Sequence, residues 1–209
     1  MDVQYEGEKN REFFNRKIEE YDATHATFMK TKNELCSYLP QDVTKILDLG
    51  VGTGLELVEI FKNYPDVDVT AIDISEKMLE KLRQRDFSDR IHIIQGNFFD
   101  LDFGDDYDAV ISTSALHHFL LKDKLVLYKK IYQALKISGV FLNADKIVNT
   151  DLEEEAAIEY YKFYAHEKPH IDRPLSIHHE KEILKEAGFQ NINVFLVDKE
   201  NYRLIRAYK

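Results

Sequence analysis

A chain of 209 residues, 44% hydrophobic and 32% charged, is long enough to bury a substantial core and has the makeup of a folded globular protein. Its 38 acidic residues outnumber the 28 basic ones, and a formal net charge of −10 argues against nucleic acid as a partner. No apolar run approaches the roughly 20 residues a membrane-spanning helix needs, and the lone Cys36 excludes an intrachain disulfide and any cysteine-based zinc site. The acidic start Met1–Glu6 lacks the basic and then apolar character of a secretory signal, so a cytoplasmic address is expected.

Residues 1–44 read as a polar helical cap, with apolar positions at Phe13, Phe14, Ile18, Tyr21, Phe28, Met29, Leu35 and Leu39, closed by Pro40-Gln41-Asp42. Strand and helix patterns then alternate. Lys45–Leu49 is a strand, Gly50-Val51-Gly52-Thr53-Gly54 a loop, and Leu55–Asn63 a helix with Leu57, Val58 and Phe61 on one side. Pro65-Asp66 turns the chain into a second strand, Val67–Asp73, and Ser75 is a good cap for a helix over Glu76–Gln84. Ile91–Ile94 and Tyr107–Thr113 are the third and fourth strands, joined through the short acidic link Phe99–Asp106.

Lys122–Leu135 carries Leu125, Tyr128, Ile131 and Leu135 as a helical stripe. Ser138-Gly139 is expected to end that helix and Val140–Asp145 to form the fifth strand. Residues 146–178 break the alternation with an acidic-aromatic helix over Asp151–His166, then Pro169 and Pro174. An insertion there lies at the ligand-binding edge of such a sheet, where lids are often built. Glu180–Ala187 is a helix stopped by Gly188, and Ile192–Val197 and Tyr202–Tyr208 are close enough in sequence for a hairpin, so the last strand enters antiparallel. The pattern predicts an α/β chain: a Rossmann-like, doubly wound, seven-stranded and mostly parallel sheet over residues 45–209, helices on both faces, a 146–178 lid-like insertion and the helical cap at 1–44, one structural domain in all.

The strand–glycine loop–helix unit at 45–63 means that backbone must pass very close to a bound ligand. Nineteen residues beyond Gly54, Asp73 closes the second strand with a carboxylate able to accept hydrogen bonds from two vicinal ribose hydroxyls. A nucleoside-bearing cofactor is therefore expected. The dinucleotide fingerprint Gly-x-Gly-x-x-Gly is absent, because position 55 is Leu. A cofactor without a pyrophosphate fits better, and S-adenosylmethionine is the obvious one.

Ile46-Leu47-Asp48-Leu49-Gly50-Val51-Gly52-Thr53-Gly54 closely resembles the first motif of the class I S-adenosylmethionine-dependent methyltransferases, and Ile72-Asp73-Ile74-Ser75-Glu76-Lys77-Met78-Leu79 their second. Gln95-Gly96-Asn97-Phe98 stands where the family has an acidic residue followed by an apolar one. Tyr107–His118 is similar to the fourth-strand motif of the small-molecule branch, Leu135–Phe141 to the turn into the fifth strand, and Glu186–Phe189 to the turn before the closing hairpin. The resemblance runs in order over roughly residues 40–209. It implies that Gly50, Gly52 and Gly54 bring backbone to the methionine part of the cofactor, with Asp48 and loop groups, Thr53 included, near its amino group. Asp73 would hold the ribose, Ile74 and Met78 pack on the adenine, Asn97 reach the adenine amino group beside Phe98, and Thr113 end the fourth strand next to the cofactor. Asn97 departs from the usual acid, and its amide oxygen can still accept an adenine N–H. Tyr21-Asp22 resembles a tyrosine–aspartate pair carried over the cofactor by many small-molecule members.

The resemblance implies methyl transfer with S-adenosyl-L-homocysteine as product. The fourth strand has Ser112-Thr113-Ser114-Ala115 in place of the proline-rich motif common to base and glutamine N-methyltransferases, and with the acidic charge this favours a small-molecule acceptor. His117 and His118 are candidates for a general base, against the plainer reading that the pair packs at the strand end and shapes the pocket. Metal-ligand spacings such as His-x-His or His-Glu-x-x-His are absent, and Pro169 spoils a ligand face at His166 and His170, so no metal is expected. Tyr160, Tyr161, Phe163 and Tyr164 line a substrate pocket or pack a core. Rival readings are an NAD-type oxidoreductase, a cofactor-binding protein without turnover, and an enzyme that modifies S-adenosylmethionine itself, for which Arg173 is the one insertion arginine. The acceptor and the oligomeric state, a homodimer included, stay open.

Overall fold

The computed structural model describes residues 11–13, 15–16, 18, 22, 34–164, 172–197 and 202–209. In chain order these form β1 (Lys45–Leu49), α1 (Leu55–Asn63), β2 (Asp68–Asp73), α2 (Glu76–Leu82), β3 (Ile91–Gln95), β4 (Tyr107–Thr113), α3 (Leu121–Ala134), β5 (Leu135–Lys146), α4 (Asp151–Tyr164), α5 (Ile177–Ala187), β6 (Gln190–Leu196) and β7 (Tyr202–Tyr208). The expected α/β architecture is present. One seven-stranded sheet runs in the order β3-β2-β1-β4-β5-β7-β6. β1 to β5 pair in parallel, and β7 lies antiparallel to both β5 and β6.

Alternate residues of each central strand feed opposite layers. Ile46, Val69, Ala109, Ile111, Val140 and Leu142 pack with Leu57 and Ile60 of α1 and with Leu79 and Leu82 of α2. Leu47, Ile72, Val110 and Phe141 pack with Leu127 and Ile131 of α3 and with Ile183 and Leu184 of α5. A strand buried on both faces is apolar at consecutive positions, as Ile46-Leu47 in β1 and Ala109-Val110-Ile111 in β4 are. Each such side chain contributes about 1.5–3 kcal/mol by leaving water.

Besides end-point differences of one or two residues in β2, α2, β3 and β6, two features differ from the sequence expectation. The helix expected over Lys122–Leu135 ends at Ala134, and the fifth strand starts at once at Leu135, not at Val140. Leu135 is already extended, with φ −74° and ψ 145°, and pairs with Tyr107. The register then shifts before Ala109 pairs with Val140, so Lys136–Gly139 form an irregularity inside β5, with Ser138 at φ +66°. α5 begins at Ile177, three residues before the expected Glu180, because the Ser176 hydroxyl accepts the N–H of His179 at 3.1 Å and caps it there. Gly188 ends that helix at φ +109°.

The sheet winds from β1 through β2 to β3 on one side and through β4 to β5 on the other. The carboxyl ends of β1 and β4 therefore flank the switch point, where a doubly wound sheet leaves a crevice. At the same edge, Val148 bridges Ser176 in parallel, tying the two ends of the insertion together. Among the described residues, no helix is long and apolar enough to cross a membrane.

Candidate active site

The chain leaves β1 through Gly50, Gly52 and Gly54 at φ +80°, +54° and +73°, backbone that side-chain-bearing residues rarely adopt. The N–H groups of Gly50 and Val51 both donate to the Ile72 carbonyl, at 2.8 and 3.3 Å, pinning the loop to the end of β2. A Cβ on Gly50 would lie 2.5 Å from the Ala115 Cβ, so the loop closes directly on the turn after β4. The carboxylate of Asp73 accepts the Gly52 N–H on Oδ2 and the Ser75 N–H on Oδ1, both at 2.8 Å. Burial pushes its pKa up to about 6, against the lowering effect of those two bonds.

A cleft enclosing about 530 Å³, part of it open to solvent, lies above these strand ends. Gly50, Gly52 and Asp73 form one side, and Ile74, Met78 and Phe98 supply an apolar wall. Ser114, Ala115, His118 and Phe119, from the turn after β4, complete it. Of these last four only His118 was expected from sequence. Ser114 has φ +55°, its N–H donates to Ala144 O at 2.9 Å, and its hydroxyl lies 3.2 Å from that of Tyr202. Such strain in a non-glycine residue clusters at functional sites, but it leaves no mark in the sequence.

Other expected residues stand behind the lining. Gly54 does not reach the cleft: a Cβ there would meet Leu82 Cδ1 at 2.5 Å, so its missing side chain lets α2 pack against the loop. Thr53 donates its hydroxyl to Asp22 Oδ1 at 2.6 Å, and Arg85 binds both Asp22 Oδ2, at 3.1 Å, and the Thr53 carbonyl, at 3.1 Å. Tyr21 lies outside the described residues. Thr113 donates to Glu56 Oε2 at 3.2 Å, and Asp48 and Glu56 are fully buried under the loop. Glu56, at the first turn of α1, escaped the sequence reading, which took Leu57, Val58 and Phe61 as that helix's inward side. Asn97 Oδ1 accepts the Phe99 N–H at 3.1 Å and caps the local turn beside Phe98.

The two histidines divide. His118 lines the cleft, whereas His117 is buried beside it with Nδ1 bound to Asp145 Oδ1 and Nε2 3.3 Å from Asp172 Oδ1. Asp145 Oδ2 accepts the N–H groups of Leu116 and His117, both at 2.9 Å. Burial would lower the pKa of His117, but Asp145 and then Asp172 outweigh it and raise it. Lys146 Nζ binds Asp172 Oδ2. On α4, Tyr160 and Phe163 are largely exposed, which removes both from the core; Tyr161 hydrogen-bonds to Asp172. Arg173 donates its backbone N–H to His117 O at 2.6 Å. His166 and His170 lie outside the described residues.

Fold and site together define a nucleoside-cofactor-binding α/β protein of the Rossmann-like kind. The model of a methyltransferase domain matches residues 46–139. A carboxy-S-adenosyl-L-methionine synthase from Campylobacter fetus is 30% identical over 165 residues, which cover 71% of this chain and 70% of that one. A malonyl-[acyl-carrier protein] O-methyltransferase from Priestia megaterium is 30% identical over 62% of this chain and 48% of its own length. Human N-acetylserotonin methyltransferase, solved with S-adenosylmethionine, superposes with a TM-score of 0.71 over 98% of this chain at 21% identity, and this chain spans 56% of it. The chain belongs to the class I S-adenosylmethionine-dependent methyltransferases.

Proposed function

We propose that this chain transfers a methyl group to a small-molecule acceptor held against the His118–Phe119 side of the cleft. The carrying observation is the carboxylate of Asp73, fixed by the Gly52 and Ser75 N–H groups in the same cleft as the apolar wall of Ile74, Met78 and Phe98. That acceptor and wall set fits a ribose diol joined to a flat purine, with the backbone of Gly50 and Gly52 near the amino-acid tail. S-adenosylmethionine, when bound, supplies an electrophilic sulfonium methyl. Asp73 accepts from the ribose hydroxyls, and Ile74, Met78 and Phe98 exclude water from the adenine faces. Asp48, Thr53, Gly54, Asn97 and Thr113 act from behind, by holding the loop and strand ends in place. Tyr21 stays a candidate cofactor contact.

Alignment of acceptor and methyl group supplies most of the acceleration, about 7–11 kcal/mol in favourable cases. Residues 1–44 act as a cap, supported by the Asp22–Thr53 bond and by the Ser75 hydroxyl donating to Asn15 at 2.8 Å, and residues 146–178 act as a lid over the acceptor.

Incubation with methyl-labelled S-adenosylmethionine and a metabolite extract tests the proposal. Label in a small molecule, with an equal amount of S-adenosyl-L-homocysteine, is expected. Tight cofactor binding without turnover would overturn it. So would a mass change on the cofactor itself, the outcome to which the name of the Campylobacter relative points.

A further inference from the structure

We propose that His117, His118 and Asp172 form a binding site for a divalent first-row transition metal, represented by zinc, on the wall of the cleft. One ligand atom from each of His117, His118 and Asp172 lies within 4.8 Å of the other two, and all three residues are buried. Nε2 of His117 is 3.3 Å and Nδ1 of His118 is 3.7 Å from the same carboxylate oxygen. Nitrogen and oxygen ligands at zinc distances of about 2.0–2.2 Å stand roughly 3.3–3.6 Å apart in tetrahedral geometry. The two nitrogen–oxygen separations, 3.3 and 3.7 Å, stand at or close to that range.

The surroundings orient these atoms as metal ligands are oriented. Asp145 sits behind the His117 ring on Nδ1, and is itself fixed by the backbone N–H groups of Leu116, His117 and Lys146, each at 2.9 Å. A carboxylate behind a ligating imidazole keeps the proton on the far nitrogen and turns the other lone pair toward the ion. Lys146 binds Asp172 through Oδ2 and Tyr161 also hydrogen-bonds to this carboxylate, while Oδ1 faces both histidines. Two imidazoles and one carboxylate suit zinc, iron, cobalt or manganese, and a three-ligand protein site keeps a position open.

Charge identifies what the open position takes. Two carboxylates, the Lys146 ammonium, two neutral imidazoles and a divalent ion sum to +1, which one oxyanion balances. His118 puts this position beside the cleft. On the methyl-transfer reading, an acceptor hydroxyl binds there and releases its proton to solvent. The oxygen–methyl bond then forms as the sulfur–methyl bond breaks, and that bonding pair stays on sulfur as a thioether. This use of the site rests on the methyl-transfer reading, whereas metal binding does not.

The test is calorimetric titration of zinc, and absorption spectroscopy with cobalt(II), on the chelator-stripped full chain. One equivalent bound with micromolar or tighter affinity, and a raised melting temperature, are expected. His118→Ala and Asp172→Asn should each weaken binding at least tenfold. The double variant His178→Ala/His179→Ala removes the more exposed grouping with Asp151 and should leave the affinity unchanged. No binding at 100-fold excess zinc would overturn the site, as would binding lost only in the His178/His179 variant. If the cleft variants do not fold, X-ray absorption of zinc-loaded wild type decides: fewer than two imidazoles around the metal sinks the proposal. Failure here with labelled product still formed leaves methyl transfer standing.

Discussion

Gly52 donates its backbone N–H to Asp73 Oδ2 at 2.8 Å, so the glycine loop and the end of β2 hold the same carboxylate that faces the cleft. The proposed ribose contact is therefore preorganised before any ligand arrives. Asp73→Asn removes the charge from two ligand hydrogen bonds of about 1.5–3 kcal/mol each. An S-adenosylmethionine affinity lowered about ten- to hundredfold is expected by calorimetry, with the fold retained.

The same carboxylate sets a pH dependence. With its pKa raised to about 6, Asp73 binds its proton more tightly in the folded chain than in the unfolded one. Its contribution to stability is therefore greatest below the unfolded value of about 3.9 and is lost as pH rises through 6. Cofactor binding runs the other way, because only the ionised form accepts from both hydroxyls. Affinity should fall by up to about tenfold per unit below pH 6, and the Asp73→Asn variant should lack this fall. Titrations between pH 5 and pH 8 in matched ionic strength check both points.

Two glycines separate ligand approach from packing. A Cβ at Gly50 would strike Ala115 Cβ at 2.5 Å, an atom fixed to the backbone, whereas at Gly54 it meets the free end of Leu82 at 2.5 Å. Gly50→Ala should lower cofactor affinity at least tenfold. Gly54→Ala should cost about 1–3 kcal/mol of stability through its left-handed backbone and leave affinity within about twofold. Parallel urea melts and calorimetric titrations distinguish the two.

The α3–α5 contact buries an ion pair. Lys124 Nζ binds Glu180 Oε1, the Tyr128 hydroxyl donates to Oε2 at 2.6 Å, and all three residues are 0% exposed. Glu180→Ala leaves the ammonium stranded and should cost about 3–5 kcal/mol in urea unfolding. The double variant Lys124→Met/Glu180→Leu should recover most of that loss, because no member of the ion pair is left buried alone and only the Tyr128 hydroxyl loses its Oε2 acceptor.

Asp108 ties the start of β1 to the irregularity in β5. Its Oδ2 accepts from Thr44 N, Thr44 Oγ1 and Lys45 N at 2.9, 2.7 and 2.9 Å, and its Oδ1 accepts from Lys136 Nζ at 2.7 Å. Burial works to raise its pKa, but Lys136 and Thr44 outweigh it and bring it to about 2. A depressed carboxylate stabilises the fold above its unfolded pKa and loses that effect as pH falls through the folded one. Asp108→Asn should be about 1–2 kcal/mol less stable at pH 7, with the gap to wild type closing between about pH 4 and pH 2 in thermal melts.

The sheet was legible because burial on both faces makes neighbouring positions apolar, as in Ile46-Leu47, Ala109-Val110-Ile111 and Leu204-Ile205, and β1, β4 and β7 have the bounds expected around these cores. Leu135 reads as the last helical position because a lone apolar residue before Lys136 fits a helix stripe as well as a strand start; only pairing with Tyr107 decides. The glycine loop and Asp73 were legible because their chemistry is local. Asp172 was not, because its tie to His117 and His118 depends on how the insertion folds back, and no short-range spacing encodes that. Asn97 reads as an adenine contact by position, and its Oδ1 also accepts the Phe99 N–H of its own turn, a bond that no spacing in the sequence announces.

β7 lies between β5 and β6, yet it is made after both. On the ribosome the outer edge of β5 therefore stays unpaired, and β6 has no sheet neighbour, until residues 202–208 emerge. Tyr202, which holds the Ser114 hydroxyl at the cleft, arrives with that strand. The nascent chain passes through a stage with an open, adhesive strand edge and an unfinished cofactor cleft, and that stage is where a chaperone has most to protect.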